Sequence, residues 1–170
     1  AQFQETDAGH AHLLFSSKEG WLCLERAKGT LTRLAGLPAQ AENPTFSPDG
    51  AHLAFTQGGN LWVYCRATDS GHPLTHDGSA SILNGRASWV YYEEILGRGS
   101  RYRAFWWSPD GQELVFLRSD EHSVPEMTLT FCEGDYGQVE HQRYPKAGKP
   151  NPAVSLWKVG LRKDAHPVML

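Results

Sequence analysis

The sequence offers little for the commoner ways of building a site. It has only three cysteines, Cys23, Cys65 and Cys132, an odd number at long spacings. Neither a disulfide framework nor a Cys-x-x-Cys metal site can be read from them. Cys23 and Cys65 fall at apolar positions of alternating stretches and read as small core residues in strands. One disulfide stays open if the compartment is oxidising. No metal or other cofactor is implied. No apolar run approaches the roughly 18 residues that span a bilayer, so no membrane segment is expected here. The first residues, Ala1-Gln2-Phe3-Gln4-Glu5, have neither the basic start nor the apolar stretch of a signal peptide. Positive charge is not in excess. A net charge of −3 gives no basis for nucleic acid or an anionic membrane surface as partner. There is also no Gly-x-Ser-x-Gly nucleophile elbow. Ser100, in Gly97-Arg98-Gly99-Ser100-Arg101, lacks that pattern, and spacing pairs no histidine with a nucleophile.

What is present is an ordinary globular balance, 40% apolar and 21% charged over 170 residues, enough for one domain with a real core. A repeat organises it. Phe46-Ser47-Pro48-Asp49-Gly50 recurs as Trp107-Ser108-Pro109-Asp110-Gly111, 61 positions later. The physics is that of a tight hairpin: Pro presets φ, Asp bonds the local backbone, and Gly accepts positive φ. Each copy follows an aromatic strand end and precedes an alternating strand, His52–Thr56 and Glu113–Leu117. The second is nearly all apolar and is expected to be the more deeply buried. Further strands fit at His12–Phe15, Trp21–Leu24, Asn60–Tyr64 and Val154–Val159. Short strands, Gly/Pro punctuation and a blade-sized repeat predict an all-β fold, a partial β-propeller of about three blades. Residues 1–170 then belong to one propeller domain. The 61-residue interval exceeds a minimal blade of about 40–50 residues, and the excess falls in an insertion at 79–103.

That insertion carries the most unusual chemistry. Trp89-Val90-Tyr91-Tyr92-Glu93-Glu94-Ile95-Leu96 places adjacent carboxylates in an aromatic neighbourhood. Trp89, Val90, Tyr92, Glu93 and Leu96 form a helical stripe that Ser88 can cap, which predicts a short helix. Neighbours on a helix point about 100° apart, so Glu93 and Glu94 converge on one ligand only at a short helix or its end. Such a pair suits a cation; the alternative is two solvated carboxylates on a helix surface. A second stretch, residues 120–152, encloses the β-prone strip Met127–Cys132. It reads either as an arm reaching out from a blade or as a hairpin folded back on it.

These residues resemble the β-propeller of the dipeptidyl peptidase IV family of serine exopeptidases. The resemblance runs from about Thr45 to Val159. It rests on Asn84-Gly85, Trp89-Val90-Tyr91, Glu93-Glu94, Trp106-Trp107-Ser108-Pro109-Asp110-Gly111, Val124-Pro125 and Tyr144-Pro145-Lys146-Ala147-Gly148 with Asn151-Pro152. It implies an enzyme that releases N-terminal dipeptides, Xaa-Pro or Xaa-Ala, with Glu93 and Glu94 binding the substrate's free amino terminus. It also implies an α/β-hydrolase domain with a Ser-Asp-His triad, which these residues do not contain, and a homodimer formed through the arm at 120–152. Export to the periplasm or the cell exterior is the mild preference it carries. One departure stands out: the family's substrate-orienting arginine should precede Trp21, and the first arginine here is Arg26. The competing reading is a non-catalytic propeller for protein–protein interaction.

Overall fold

The computed structural model describes residues 2–170. Turn chemistry sets its frame. In both Ser-Pro-Asp-Gly copies the glycine N–H returns to the serine carbonyl at 2.9 Å, and the glycine takes positive φ, 71° at Gly50 and 69° at Gly111. The serine hydroxyl donates to the aspartate at 2.6 Å and accepts the N–H of the following strand's first residue at 2.9 Å. Each copy therefore launches a strand antiparallel to the one before it. A third, disguised copy lies at Asp7–His12. The Asp7 carboxylate takes the serine's place and accepts the His12 N–H at 3.1 Å, while His10 adopts φ 53° where the others have glycine.

The first blade is β1 (Gln2–Thr6), β2 (His12–Ser17), β3 (Gly20–Glu25) and β4 (Thr30–Arg33) in that spatial order. The second is β5 (Glu42–Phe46), β6 (His52–Gln57), β7 (Asn60–Cys65) and β8 (Ser70–Pro73), also in order. The third opens with β9 (Ile82–Asn84), β10 (Phe105–Trp107) and β11 (Glu113–Asp120). The chain then leaves to form β12 (Glu126–Phe131) and β13 (Gln138–Arg143), and returns as β14 (Ala153–Gly160) and β15 (Val168–Met169). All pairings are antiparallel, so the all-β expectation of about three blades holds.

Two apolar clusters fill the gaps between blades. One joins Leu14, Trp21 and Cys23 to Leu53, Phe55 and Tyr64; the other joins Ala54, Leu61 and Val63 to Phe105, Leu114 and Phe116. β6 feeds both, and Leu53 through Thr56 are all buried. The expectation that Glu113–Leu117 would be the deeper strand is thus reversed. Leu114 and Phe116 are buried, but Val115 and Leu117 on the other face are only half-buried. Burial follows the number of neighbouring blades rather than the apolar content of the strand. Cys23 is a free thiol within the first cluster, whereas Cys65, expected in the core, is half-exposed.

β9 and β10 are two halves of one strand. β10 pairs with Leu114–Phe116 of β11 and β9 with Arg118–Asp120. Between them Gly85 N–H bonds Leu117 O, Leu117 N–H bonds Ala104 O, and Ala104 N–H bonds Gly85 O, each at 2.9 Å. Residues 86–103 are therefore an excursion that leaves and re-enters the blade at a single point. Gly85 is required there. Its φ is +75°, and a Cβ would lie 3.0 Å from Leu61 Cδ1 and 3.3 Å from Phe105 Cδ1.

Candidate functional site

Within the excursion the backbone first runs as a narrow ladder, with an Arg86–Arg103 bridge and the Ala87 N–H on Tyr102 O at 2.8 Å. Ser88 then caps as expected, its hydroxyl accepting the Tyr91 N–H at 3.4 Å and its carbonyl the Tyr92 N–H at 2.9 Å. The predicted helix is a single turn, Tyr91–Ile95, wound as a π-helix and closed by the Leu96 N–H on Tyr91 O at 2.7 Å. None of its residues is buried. The turn therefore does not dock on the core. A turn this short cannot hold itself together by propensity, and aromatic contacts from elsewhere hold it. Tyr92 stacks on Tyr102 with ring centroids 3.9 Å apart and planes at 15°, and Trp89 packs on Tyr144 at 4.6 Å. Arg86 lies 4.4 Å over the other partner of that stack, Tyr102, and pairs with Glu42 of the second blade at 2.8 Å. Burial, partly offset by Arg86, pushes the Tyr102 hydroxyl above its ordinary pKa, so the ring stays neutral.

Glu93 and Glu94 are both presented by this turn. Glu93 Oε2 accepts the Arg98 Nε–H at 2.5 Å, and the glutamate side chain is 15% exposed against 76% for the arginine. Glu94 is exposed and has no ion-pair partner among the described residues. The Arg98 guanidinium is held above its ordinary pKa first by the Glu93 hydrogen bond, with a smaller push from Glu94. A cation at this place therefore feels both carboxylates.

The loop that follows is pinned across all three blades. Arg101 and Tyr102 both take left-handed φ, 49° and 70°, a costly conformation for non-glycine residues that tertiary contacts must maintain. The contacts are Asn43 Nδ2 on Arg101 O at 2.6 Å, Arg101 on Gln4 Oε1 at 3.0 Å, and Arg103 on Thr45 Oγ1 at 3.1 Å. Under the loop lies a cavity of about 470 Å³ lined by Glu5, Glu42, Asn43, Thr45, Arg101 and Arg103. Neither Glu93 nor Glu94 lines it. Burial raises the pKa of Glu5 there, against the lowering pull of Arg103.

Sequence spacing gave no nucleophile–histidine pair, yet folding makes one. Ser81 Oγ lies 3.0 Å from His122 Nε2, and His122 Nδ1 lies 2.7 Å from Asp120 Oδ1. The distances match a nucleophile, base and orienting acid, but the surroundings do not. Ser81 is buried, and the neighbouring N–H groups of Ser81 and Ile82 are both bound by Ser79 Oγ, which leaves no oxyanion donor. The Asp120 carboxylate also accepts the His122 N–H at 3.0 Å, so the arrangement locks a turn. Ser100, which lacks the elbow pattern in sequence, lies in a short 3₁₀ turn, Arg98–Ser100.

The profile of the dipeptidyl peptidase IV (DPP IV) N-terminal region matches residues 10–169. The chain belongs to the dipeptidyl peptidase IV family. Dipeptidyl aminopeptidase B of Saccharomyces cerevisiae is 34% identical over 129 residues, covering 72% of this chain and 15% of the yeast protein. The crystal structure of Porphyromonas gingivalis dipeptidyl peptidase 4 superposes on 99% of this chain with a TM-score of 0.80 at 29% identity. This chain spans 26% of that bacterial enzyme. The segment is therefore family propeller, and it covers a minor part of the relatives it matches.

Arg86, Arg98 and Tyr102 were not identified from sequence as parts of the site, and Tyr92 and Tyr144 were named there without their bracing contacts. The available signal was the run of arginines at 98, 101 and 103 directly after the carboxylate pair. If the Tyr92–Tyr102 stack holds the turn, alanine at both positions should show a coupling of about 0.5–1.5 kcal/mol in a double-mutant cycle by chemical denaturation. The pair Tyr91 and Tyr102, which do not stack, should couple within about 0.5 kcal/mol of zero. Equal coupling in the two cycles contradicts the account.

Proposed function

We propose that this chain is the substrate-selecting part of a serine exopeptidase that releases N-terminal Xaa-Pro or Xaa-Ala dipeptides. The triad would come from an α/β-hydrolase domain outside these residues. The observation that carries this reading is the carboxylate pair on a braced turn, with Glu93 already gripping a cation. A peptide α-ammonium is largely protonated at pH 7, with a reference pKa near 7.7–8.0. It offers donors that two carboxylates accept through charge-assisted bonds. Anchoring the amine at a set distance from a nucleophile makes a ruler. A blocked amine, or extra residues before the scissile bond, would not fit.

On this reading, Glu93→Gln or Glu94→Gln in the full-length enzyme removes one acceptor from a charge pair desolvated by bound substrate. Such losses typically cost about 2–5 kcal/mol, or roughly 30-fold to several thousandfold in kcat/KM toward Gly-Pro amides. The double variant should cost less than the sum, since both groups share one ligand. Acylation by a small serine-directed reagent without an amine should stay normal. Both variants within threefold of wild type would leave the solvated-carboxylate reading in possession; a full-length wild type that does not cleave Gly-Pro amides at all would leave the non-catalytic propeller.

The second part of the proposal is self-association through residues 120–152. β12 and β13 form a sheet paired only with itself among the described residues; Phe131 and Val139 on it, and Tyr136 in the turn between the strands, are exposed. A lone two-stranded hairpin is marginal in water. Its base is firmly held: Arg143 Nη1 donates to Glu121 O at 3.1 Å and Val124 O at 2.9 Å. A stiffly rooted arm with exposed apolar side chains on both faces and at its tip suits a second copy better than a fold-back on its own blade. Leu129→Glu should shift the full-length protein toward monomer in sedimentation. An unchanged oligomeric state counts against the arm.

A further inference from the structure

The Arg98–Glu93 pair puts a cation of the chain itself where the substrate's ammonium is assigned. Its geometry is unusual in a useful way. Arg98 bonds Glu93 side-on, through Nε, and its two Nη groups make no hydrogen bond among the described residues. The Nη face is the one that grips a carboxylate bidentately. That face has no protein partner among the described residues, and the side chain is 76% exposed.

We propose that Arg98 selects the first residue of the substrate: it rests on Glu93 in the empty site and moves to the side-chain carboxylate of a peptide that begins with Asp or Glu. This rests on the reading of Glu93 and Glu94 as the amine site. An incoming ammonium takes the Glu93 oxygen that Arg98 holds, and the displaced guanidinium is available to pair with another anion beside it. In an N-terminal Asp or Glu, bonds of about 1.5 Å put the carboxylate roughly 3–5 Å from the ammonium. That is the reach of a guanidinium beside Glu93. Without Arg98 the same carboxylate would meet only the repulsion of two glutamates. Arg98 converts that repulsion into an attraction, and it opposes a Lys or Arg at the same place. For a substrate without an acidic side chain, Arg98 is simply a competitor for Glu93.

The test compares kcat/KM of the full-length enzyme for Glu-Pro, Gln-Pro, Lys-Pro and Gly-Pro amides, in wild type, Arg98→Gln and Arg98→Lys. Wild type should prefer Glu-Pro over Gln-Pro by about two- to fivefold at low salt, the worth of an exposed ion pair. The preference should shrink as salt is added. Arg98→Gln should bring the ratio to one or below and raise the Gly-Pro value by up to about fivefold as the competitor leaves. Arg98→Lys, a cation without the fork, should keep part of the preference. Arg98 is exposed, so thermal unfolding should be unchanged. A wild-type ratio of one or less overturns the proposal, as does a preference that survives in Arg98→Gln. N-acetyl-Gly-Pro amide separates this from the reading beneath it. Poor cleavage of the blocked substrate with no Glu-Pro preference sinks the Arg98 role alone, and equal cleavage of blocked and free substrates sinks the amine site and Arg98 together.

Discussion

The site depends on one hydrogen-bonded closure. The third blade's first strand is cut in two, and the bonds among Gly85, Ala104 and Leu117 join the cut ends to a single point on β11. An excursion closed at its root in this way is a loop with both ends fixed to a sheet. Its closure entropy is met by the blade's own ladder. Residues 86–103 can then carry a strained left-handed pair, a one-turn π-helix and two adjacent carboxylates, none of which would persist in a free loop. Gly85 is the residue that permits this, because only a missing side chain lets the chain turn out between Leu61 and Phe105.

Bracing and electrostatics in the excursion come from the same side chains. Arg86 ties Tyr102 to Glu42 of the second blade, Tyr102 stacks on Tyr92, and Trp89 leans on Tyr144 at the base of the hairpin. The one-turn helix is thus tied through these side chains to a neighbouring blade on one side and to the hairpin on the other. Arginines supply the cations in this frame, and one of them, Arg98, completes the charge of Glu93. One carboxylate of the pair is thereby balanced, while Glu94 faces solvent without an ion-pair partner among the described residues. An ammonium or a guanidinium can hold the same oxygen, so on the proposed reading the carboxylates bind and the arginine selects.

Local chemistry was legible in the sequence, and chemistry between distant residues was not. The Ser-Pro-Asp-Gly turns could be read because every bond in them spans five residues or fewer. Their third copy escaped because Asp7 and His10 replace the serine and the glycine, preserving the geometry with different atoms. The stripe from Trp89 to Leu96 correctly signalled a helical turn. The surfaces that turn meets belong to Tyr102 and Tyr144, which no periodicity reveals. The relative depth of β6 and β11 was misjudged for a similar reason: β6 lies between two apolar clusters and β11 borders one. The Glu93–Glu94 pair stood out by its composition, and its reading as an amine site came from the family resemblance. Its internal partner, five positions beyond Glu93, became visible only once the turn had brought Arg98 back.

The central claim is that Glu93 and Glu94 jointly hold a substrate's ammonium. A crystal structure of the full-length enzyme with a Gly-Pro dipeptide bound tests it most directly. The account predicts the dipeptide nitrogen within about 3 Å of an oxygen from each glutamate, with Arg98 displaced from Glu93. A bound dipeptide whose amine lies away from both carboxylates, with the Arg98–Glu93 pair intact, would contradict it.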